Sequence, residues 1–349
     1  MSFPGAFGEN WRRFRSPMPS DRQTAPRRPF AFSAIFALAA LFASLFGGCQ
    51  SNEPVSYLAR SQPAPASYQY QTPGTTPATP LYGNPGTVEA LAPIPLELPG
   101  VSRPRGEAPN ITAKAAILVD GSGRVLYEKN ADARLPAAST QKLLTGLLVA
   151  ERGNLSGAVR IEESDTWAEP TVLGIKGGEV YSRGELLRAV LIRSCNDVAR
   201  ALARDHSGSE AAFVAQLNAK ARQIGMSNSY FTNSNGLPSP PGQYSTARDL
   251  SRLGLAALRN PTVRELCGTR SCVFRMANGT PKTLTNTNQV LRHFPYCTGL
   301  KTGYTNAAGR CLVSSASDQG RTVVAVILGS SSPTVWQESE ALLKYGLGL

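Results

Sequence analysis

The chain has 349 residues, of which 42% are hydrophobic and 17% charged, a composition that supports one large folded domain or two small ones. Its formal net charge is +12, but no basic helix with interleaved aromatic residues accompanies that charge, which argues against a nucleic-acid partner. The six cysteines and two histidines lack the paired short spacings of a zinc site, so no metal is predicted.

The first 48 residues are predicted to be an export signal. Six arginines precede an uncharged apolar run at 30–48, which ends in "FGGC" with Cys49. "FGGC" resembles the lipobox of bacterial lipoproteins, which implies a lipid on Cys49. An uncleaved membrane helix is the alternative, because a run of 19 residues just suffices to cross a bilayer. In both cases we expect an exported protein of the cell envelope or periplasm, tethered to a membrane at its N-terminus.

Residues 49–109 have the composition of a linker. The segment is dominated by Pro, Ser, Thr, Gln and Gly, as in "SQPAPASYQYQTPGTTPATP". Such a composition buries too little apolar surface to fold and favours extended polyproline conformations. We predict a tether that holds the following domain away from the membrane.

One folded domain is predicted over residues 110–349. It begins with "AAILVDGSGRVLYEKN", two short apolar runs around a turn, as in a β-hairpin. Helical patterns follow at about 139–152, 183–204, 209–224 and 246–258, and then three strand-like runs, "YCTGLKTG", "RCLVSSAS" and "RTVVAVILG", and a helix at about 334–345. Strands at both ends with helices between them predict an α+β fold, in which one antiparallel sheet carries an inserted helical portion.

The stretch "PAASTQKLLTG" at 136–146 has two interpretations. Ser139 lies ahead of an apolar helical pattern, where a serine is a preferred N-cap. Lys142 follows three residues later, and residues three apart share a helix face, so the amine can also meet the serine hydroxyl. Ser139 is then either a cap or a nucleophile with Lys142 as its base, and this spacing alone does not decide.

Two later triplets favour the nucleophile. "SCN" at 194–196 supplies Ser194 and Asn196 at the junction of two helical runs, and "KTG" at 301–303 follows an apolar strand pattern. Each triplet alone is compatible with a helix cap or a strand end. The chain contains only one S-x-x-K, and its order with S-x-N and K-T-G is the signature of active-serine, penicillin-interacting enzymes.

From about residue 111 onward the sequence resembles the D-alanyl-D-alanine carboxypeptidases, the low-molecular-mass penicillin-binding proteins of serine peptidase family S11. The likeness extends to "SCNDVARALA", "QIGMSNSYFTNSNGL", "QYSTARDL" and "GLKTGYTNAAGRCLV". It implies a β-lactamase/DD-peptidase-like fold with the active site between the sheet and the helical portion. It also implies that the terminal D-alanine of peptidoglycan stem peptides is removed through an acyl-enzyme on Ser139, without a cofactor, and that β-lactam antibiotics are covalent inhibitors.

The proposed chemistry needs a neutral base beside the serine hydroxyl. Lys142 can be that base if burial and a second cation, for which Lys301 is the candidate, lower its pKa. Ser194 is expected to bridge the two lysines and to relay a proton to the departing amine. Asn196 is expected to hold Lys142 and the substrate amide in place.

The resemblance also assigns the substrate-binding strand. In the family the K-T-G strand pairs with the substrate backbone, so Lys301 and Thr302 are expected to engage the terminal carboxylate. Gly303 leaves room for close approach. The backbone amides of Ser139 and Tyr304 are the expected oxyanion hole, since such donors stabilise the charge that develops in the transition state.

Two positions depart from the family's common residues. Cys195 stands where many members have glycine or alanine, and we interpret it as a packed free thiol. Tyr304 stands where a histidine is common. The backbone roles survive both changes, whereas pocket shape and substrate choice stay open.

Several alternative functions are weighed against this one. A class A-like β-lactamase needs a water-activating glutamate after its serine triplet, but Glu169 precedes Ser194, and Glu210 lies at a predicted helix start. A Ser-His-Asp hydrolase would have to use His206 or His293, and the chain has no G-x-S-x-G. A DD-endopeptidase that cleaves cross-links and a non-catalytic wall-binding lipoprotein remain open.

The cysteines allow disulfides in an oxidising compartment. Cys267 and Cys272 are close enough in sequence for a small-loop disulfide. Cys297 and Cys311 flank the K-T-G triplet and are a second candidate pair. The connectivity is not readable from the sequence.

Overall fold

The structure, a computed structural model, describes residues 104–349. The predicted export signal, Cys49 and most of the predicted linker lie outside the described residues and stay predictions. Within residues 104–349, no helix has the length and apolar character needed to cross a membrane.

Nine strands form three antiparallel sheets in the described part of the chain. They are β1 (Ala115–Asp120), β2 (Val125–Lys129), β3 (Ala158–Arg160), β4 (Val180–Ser182), β5 (Ser271–Arg275), β6 (Pro281–Thr285), β7 (Cys297–Thr305), β8 (Gly309–Asp318) and β9 (Arg321–Ser330). The central sheet has the order β2-β1-β9-β8-β7, and β3-β4 and β5-β6 form two small sheets. The central sheet therefore unites the first and last strands of the domain, as the sequence predicts, and β7 lies at its edge.

The helices occupy most of the interval between β2 and β7. They are α1 (Lys142–Arg152), α2 (Arg183–Arg193), α3 (Asn196–Ser207), α4 (Glu210–Gln223), α5 (Ala247–Arg259), α6 (Pro261–Gly268), α7 (Val290–His293) and, after β9, α8 (Thr334–Leu347). Two short 3-10 segments, Ala138–Gln141 and Glu163–Thr166, complete the set within residues 104–349. The predicted helical insertion is confirmed.

The central sheet is buried on both faces. Ile117 and Val326 pack into the large cluster beneath the helical portion, whereas the adjacent Leu118 and Ile327 pack into a second cluster with α8. Successive side chains of a strand point to opposite faces, so two covered faces require nearly continuous apolar runs. This explains the apolar runs of β1 and β9, whereas β8 also buries Ser314 and Ser315.

The junction expected at "SCN", within the helical pattern over 183–204, is confirmed. α2 ends at Arg193, Ser194 adopts a left-handed conformation with φ 70°, and α3 starts at Asn196. The Ser194 amide closes α2 by donating to the Val190 carbonyl at 3.1 Å. Neither glycine nor proline marks this left-handed turn, so its backbone conformation was not predictable from the sequence.

Four short features were missed: the two-stranded sheets β3-β4 and β5-β6, α6 and α7. α6 does carry a start signal, because Asn260 accepts the Val263 amide at 3.0 Å and Pro261 is its first residue. Thr246 is the N-cap of α5, since its side chain accepts the Asp249 amide at 3.0 Å. The K-T-G triplet lies inside β7 and not at its end.

The two candidate disulfides are absent: all five cysteines of the described part of the chain are free thiols. Cys297 lies opposite Ala316 at the start of the β7-β8 pair, whereas Cys311 lies opposite Gly303. Cys267 is buried at the end of α6, while Cys272 lies opposite Leu284 in the small β5-β6 sheet. Cysteines that are near each other in the sequence are therefore not disulfide-bonded in the described part of the chain.

Candidate active site

Ser139 lies in the 3-10 segment Ala138–Gln141, directly before α1. The N-cap residue is Ala137 for this segment and Gln141 for α1, and neither makes a side-chain capping bond, so the capping interpretation of Ser139 fails. Lys142, the first residue of α1, shares the face of Ser139, and its Nζ lies 2.8 Å from Ser139 Oγ. The spacing of three residues has brought hydroxyl and amine into direct contact.

Lys142 is fully buried, and its amine is surrounded by acceptors. Besides Ser139 Oγ, its Nζ contacts Asn196 Oδ1 and the Asn235 carbonyl oxygen, each at 2.6 Å. Burial holds the pKa of Lys142 well below its ordinary value, and the positive charge of Lys301 lowers it further. The expected second cation thus acts on Lys142, although burial is the larger effect.

The Asn235 carbonyl comes from a loop that sequence reasoning did not assign to the site. Gln141 Nε2 donates to the Asn233 carbonyl at 2.7 Å, and Asn233 Oδ1 in turn accepts the Gly236 amide at 2.7 Å. Thr145 Oγ1 donates to the loop's Ser234 carbonyl at 2.7 Å. The concentration of Asn, Ser and Gly in "TNSNGL" was the signal in the sequence that a turn lies here. Its role is to lay a backbone carbonyl against the lysine.

Gly236 fits the same loop against the nucleophile's segment. Its φ is +85°, and a β-carbon there would lie 2.2 Å from the Ala138 carbonyl oxygen and 2.9 Å from the Ser139 amide nitrogen. Only a glycine is compatible with both the conformation and the close approach. The loop therefore packs directly onto the backbone that carries Ser139.

The S-x-N triplet forms the link between α2 and α3. Asn196 reaches Lys142 with its side chain, and its amide donates to the Thr171 carbonyl at 2.7 Å. The carboxylate of Asp197 accepts the backbone amides of Leu173, at 3.0 Å, and Gly174, at 2.9 Å. Asp197, which sequence reasoning passed over, thus fixes the segment that forms one wall of the cleft.

Ser194 lies in the cleft wall, in contact with the same cavity as Ser139. The acceptors within hydrogen-bonding reach of Lys142 are Ser139, Asn196 and Asn235, and Lys301 Nζ donates to the Thr302 carbonyl at 3.2 Å. In the described part of the chain, Ser194 bridges neither lysine. Its role as a relay stays a prediction.

The K-T-G residues of β7 face different surroundings. Lys301 is fully buried, and burial lowers its pKa to about 8. The Thr302 hydroxyl lines the cleft and lies 2.7 Å from the hydroxyl of Thr287, a residue that the sequence analysis missed. Tyr304 is 52% exposed at the mouth of the cleft.

Gly303 brings the edge of β7 against the nucleophile's backbone. A β-carbon at this position would lie 2.9 Å from the Ser139 amide nitrogen and from the Ala137 carbonyl oxygen. The room that the sequence analysis expected Gly303 to leave is therefore filled by the turn that carries Ser139. As a result, the Ser139 amide and the β7 backbone are neighbours.

These elements enclose a cleft of about 420 Å³. Ser139, Ser194, Thr302, Gly303 and Tyr304 line it together. Its described lining includes arginines but neither aspartate nor glutamate. No group of three His, Cys, Asp or Glu side chains within residues 104–349 is arranged to hold a metal ion.

Comparisons with known proteins agree with this arrangement. The sequence matches the family Peptidase_S11, described as D-alanyl-D-alanine carboxypeptidase, over residues 103–332. D-alanyl-D-alanine carboxypeptidase DacF of Bacillus subtilis (strain 168) is 34% identical over 227 residues, which cover 63% of this chain and 58% of the relative. DacB2 of Mycobacterium tuberculosis, another D-alanyl-D-alanine carboxypeptidase, is 34% identical over 247 residues, or 69% of this chain and 84% of the relative.

A solved structure carries the same fold. The crystal structure of a D-alanyl-D-alanine carboxypeptidase from Mycobacterium tuberculosis H37Rv superposes with a TM-score of 0.67 and 33% identity, over 71% of this chain and 96% of that one. The fold is therefore the predicted α+β fold of DD-peptidases. This chain spans 58% of the length of the Bacillus relative, less than two thirds. All three signature triplets lie inside the matched residues 103–332, and the chain belongs to the Peptidase_S11 family of D-alanyl-D-alanine carboxypeptidases.

Proposed function

We propose that this protein is a serine-type D-Ala-D-Ala carboxypeptidase that removes the terminal D-alanine from peptidoglycan stem peptides. The observation that carries the proposal is the contact of 2.8 Å between Ser139 Oγ and a fully buried Lys142 amine. A buried amine with a lowered pKa is the neutral base that a serine nucleophile needs.

The partners of Lys142 suit both of its protonation states. As an ammonium it has three N–H donors, which Ser139 Oγ, Asn196 Oδ1 and the Asn235 carbonyl can accept. As a neutral amine it keeps two donors for the two fixed carbonyl oxygens, and its lone pair is left for the Ser139 hydroxyl. Asn196 and Asn235 thus orient the base toward the nucleophile.

Acylation would then proceed as follows. Ser139 Oγ attacks the carbonyl carbon of the penultimate D-alanine while its proton passes to Lys142. The peptide C–N bond breaks, and the departing amine of the last D-alanine takes up the proton from the Lys142 ammonium, with Ser194 as the proposed relay. Water later adds to the ester, releases the shortened peptide and restores the Ser139 hydroxyl.

The β7 edge would bind the substrate during these steps. Lys301 and Thr302 would hold the terminal carboxylate, with the Thr302 hydroxyl oriented by Thr287. The amides of Ser139 and Tyr304 would receive the developing oxyanion. The closeness of Gly303 to the Ser139 amide supports this pairing, because it sets the β7 backbone beside that donor.

The β-lactamase alternative lacks support from the cleft. Glu210 is engaged elsewhere, since its carboxylate accepts Ser234 Oγ at 2.7 Å and pairs with Arg200 at 3.7 Å. The described lining of the cleft offers no other carboxylate to activate water. β-Lactams are therefore proposed as slowly released covalent inhibitors.

We further propose that the protein works in the cell envelope, tethered by a lipid on Cys49 or by an uncleaved helix at 30–48. The basic and apolar segments ahead of "FGGC" support export. Replacing Cys49 by alanine separates the two tethers: a lipoprotein would accumulate unprocessed or leave the membrane. Peptides from the first 30 residues in the mature protein would establish the uncleaved helix instead.

The experiment for the activity is D-alanine release from an acylated tripeptide ending in D-Ala-D-Ala, with Ser139→Ala as the control. The proposal requires release by the native protein and none by the variant. Product analysis on purified peptidoglycan identifies an endopeptidase, which would cleave cross-linked dimers. A non-catalytic wall-binding protein would bind peptidoglycan and release no D-alanine.

A further inference from the structure

The Arg310 guanidinium stacks on the Tyr304 ring at the mouth of the cleft, and neither group has a part in the machinery described above, which uses only the Tyr304 backbone amide. The two residues lie opposite each other across β7 and β8, and the Arg310 guanidinium carbon lies 4.5 Å from the Tyr304 ring centroid. Both residues line the same cavity as Ser139. Stacking on the ring orders the guanidinium, so a positive charge is held in a fixed place beside the nucleophile.

This charge has no acidic partner within residues 104–349. The ion pairs of the described residues include none for Arg310, nor for the two other arginines of the cleft, Arg193 and Arg292. Away from the cleft, Arg248 pairs with both Glu128 and Asp132. The cleft is therefore lined by uncompensated positive charge, which is complementary to an anionic ligand.

The position of Arg310 indicates which part of a substrate it would meet. In the proposed function the terminal carboxylate lies at Thr302, and the scissile carbonyl lies at the Tyr304 amide. The substrate then runs antiparallel to β7, and its acyl side continues past Tyr304 toward Thr305 and the β7-β8 turn. Extended residues advance by about 3.3 Å each, so the residues just upstream of the scissile bond come within reach of an arginine side chain.

We propose that Arg310, held by Tyr304, binds a second carboxylate on the acyl side of the stem peptide and selects stems in which that carboxylate is free. This inference rests on the proposed function and names its preferred substrate class. Two groups of a stem have the required chemistry: the α-carboxylate of a γ-linked D-glutamyl residue and the side-chain carboxylate of a diaminopimelyl residue. Amidation of either one removes its negative charge.

The test uses four synthetic stem peptides ending in D-Ala-D-Ala. One has both carboxylates free, two have one carboxylate amidated, and the last has both amidated. Release of D-alanine gives kcat/KM for each peptide. The free peptide should exceed the doubly amidated one by about tenfold, as a charge-assisted hydrogen bond allows, with the difference mainly in KM. The singly amidated peptide whose kcat/KM falls to that of the doubly amidated peptide identifies the carboxylate that Arg310 binds.

Three variants assign the preference to Arg310. Arg310→Gln should abolish it, and Arg310→Lys should retain part of it because the charge persists without the planar fork. The matched control is Arg134→Gln, because Arg134 is stacked on Tyr244 at 4.8 Å but does not line the cleft. That variant should keep the full preference.

The outcomes separate the inference from the function on which it rests. Equal kcat/KM for all four peptides in the native protein, or an undiminished preference in Arg310→Gln, overturns the selection by Arg310. If Arg310→Gln does not fold, an Arg310→Lys variant with the full native preference at high and low salt overturns it instead. Failure of every peptide to release D-alanine refutes the proposed function, and the inference with it.

Discussion

A β-carbon placed on Gly236 would lie 2.2 Å from the carbonyl oxygen of Ala138, the residue that precedes the nucleophile. Gly236 belongs to the loop whose Asn235 carbonyl contacts Lys142 at 2.6 Å. One close contact thus couples two parts of the site: the segment that carries Ser139 and the loop that orients its base. Any side chain at this position must push the two apart.

Gly236→Ala should therefore slow acylation of Ser139 by about 100-fold, the scale expected when reacting groups shift by about 1 Å. The second-order rate of labelling by a fluorescent penicillin measures this. Gly242→Ala is the matched control, because Gly242 also has a positive φ, +97°, but nothing lies within 4 Å of its added β-carbon. Equal labelling rates in the two variants would refute the coupling.

The two buried lysines should give acylation a bell-shaped pH dependence. Lys142 must be neutral to accept the Ser139 proton, so lowering the pH through its depressed pKa removes the base and forms the acidic limb. Lys301 must be charged to hold a carboxylate, so raising the pH through its pKa of about 8 forms the basic limb. Penicillin acylation rates across pH measure both limbs, and a rate that keeps rising well above pH 8 would contradict the role of Lys301.

Asn196→Asp tests the identity of the base. A carboxylate in place of the oxygen 2.6 Å from Lys142 Nζ would stabilise the ammonium and raise the pKa of Lys142. The acidic limb should move to higher pH by roughly one to three units. Asn196→Ala removes the same contact without adding charge and should slow acylation without that upward shift. If the acidic limb of the Asn196→Asp variant lies at the same pH as that of the native protein, Lys142 is not the titrating group.

The signature triplets identify Ser139, Ser194 and Thr302, which line the same cleft, because each chemical role there is tied to a side-chain type at a fixed spacing. The Asn235 carbonyl escaped that reasoning, since a backbone oxygen has no residue type to recognise. Thr287 escaped it for a different reason: its contact with Thr302 joins two segments that only the tertiary fold brings together.

The fold was predictable where the apolar pattern was long, as in the apolar run of β9 and the helical periodicity of α5. The junction at Ser194 was also predictable, but its left-handed backbone was not, because neither a glycine nor a proline marks it. The three-residue strands β3 and β4 are too short to show any periodicity. The candidate disulfide between Cys297 and Cys311 failed because strand register, which local sequence does not encode, sets the two residues apart.

Deacylation should distinguish peptides from penicillins. After peptide acylation the released D-alanine diffuses away and admits water, whereas the leaving group of a β-lactam stays tethered to the acyl-enzyme. No aspartate or glutamate in the described lining of the cleft compensates by activating water. The peptide ester should therefore turn over much faster than the penicilloyl ester. If stopped-flow measurements give equal rates of hydrolysis for the two esters, the account is wrong, and a carboxylate outside the described lining must activate the water.

The most direct test of the account is mass spectrometry of the intact protein after reaction with benzylpenicillin, followed by peptide mapping. The account requires one penicilloyl group per chain, located on Ser139, because the Lys142 contact at 2.8 Å activates that hydroxyl. The Ser139→Ala variant should keep its native mass under the same conditions. A penicilloyl group on the variant, or one mapped to another residue of the native protein, would contradict Ser139 as the nucleophile.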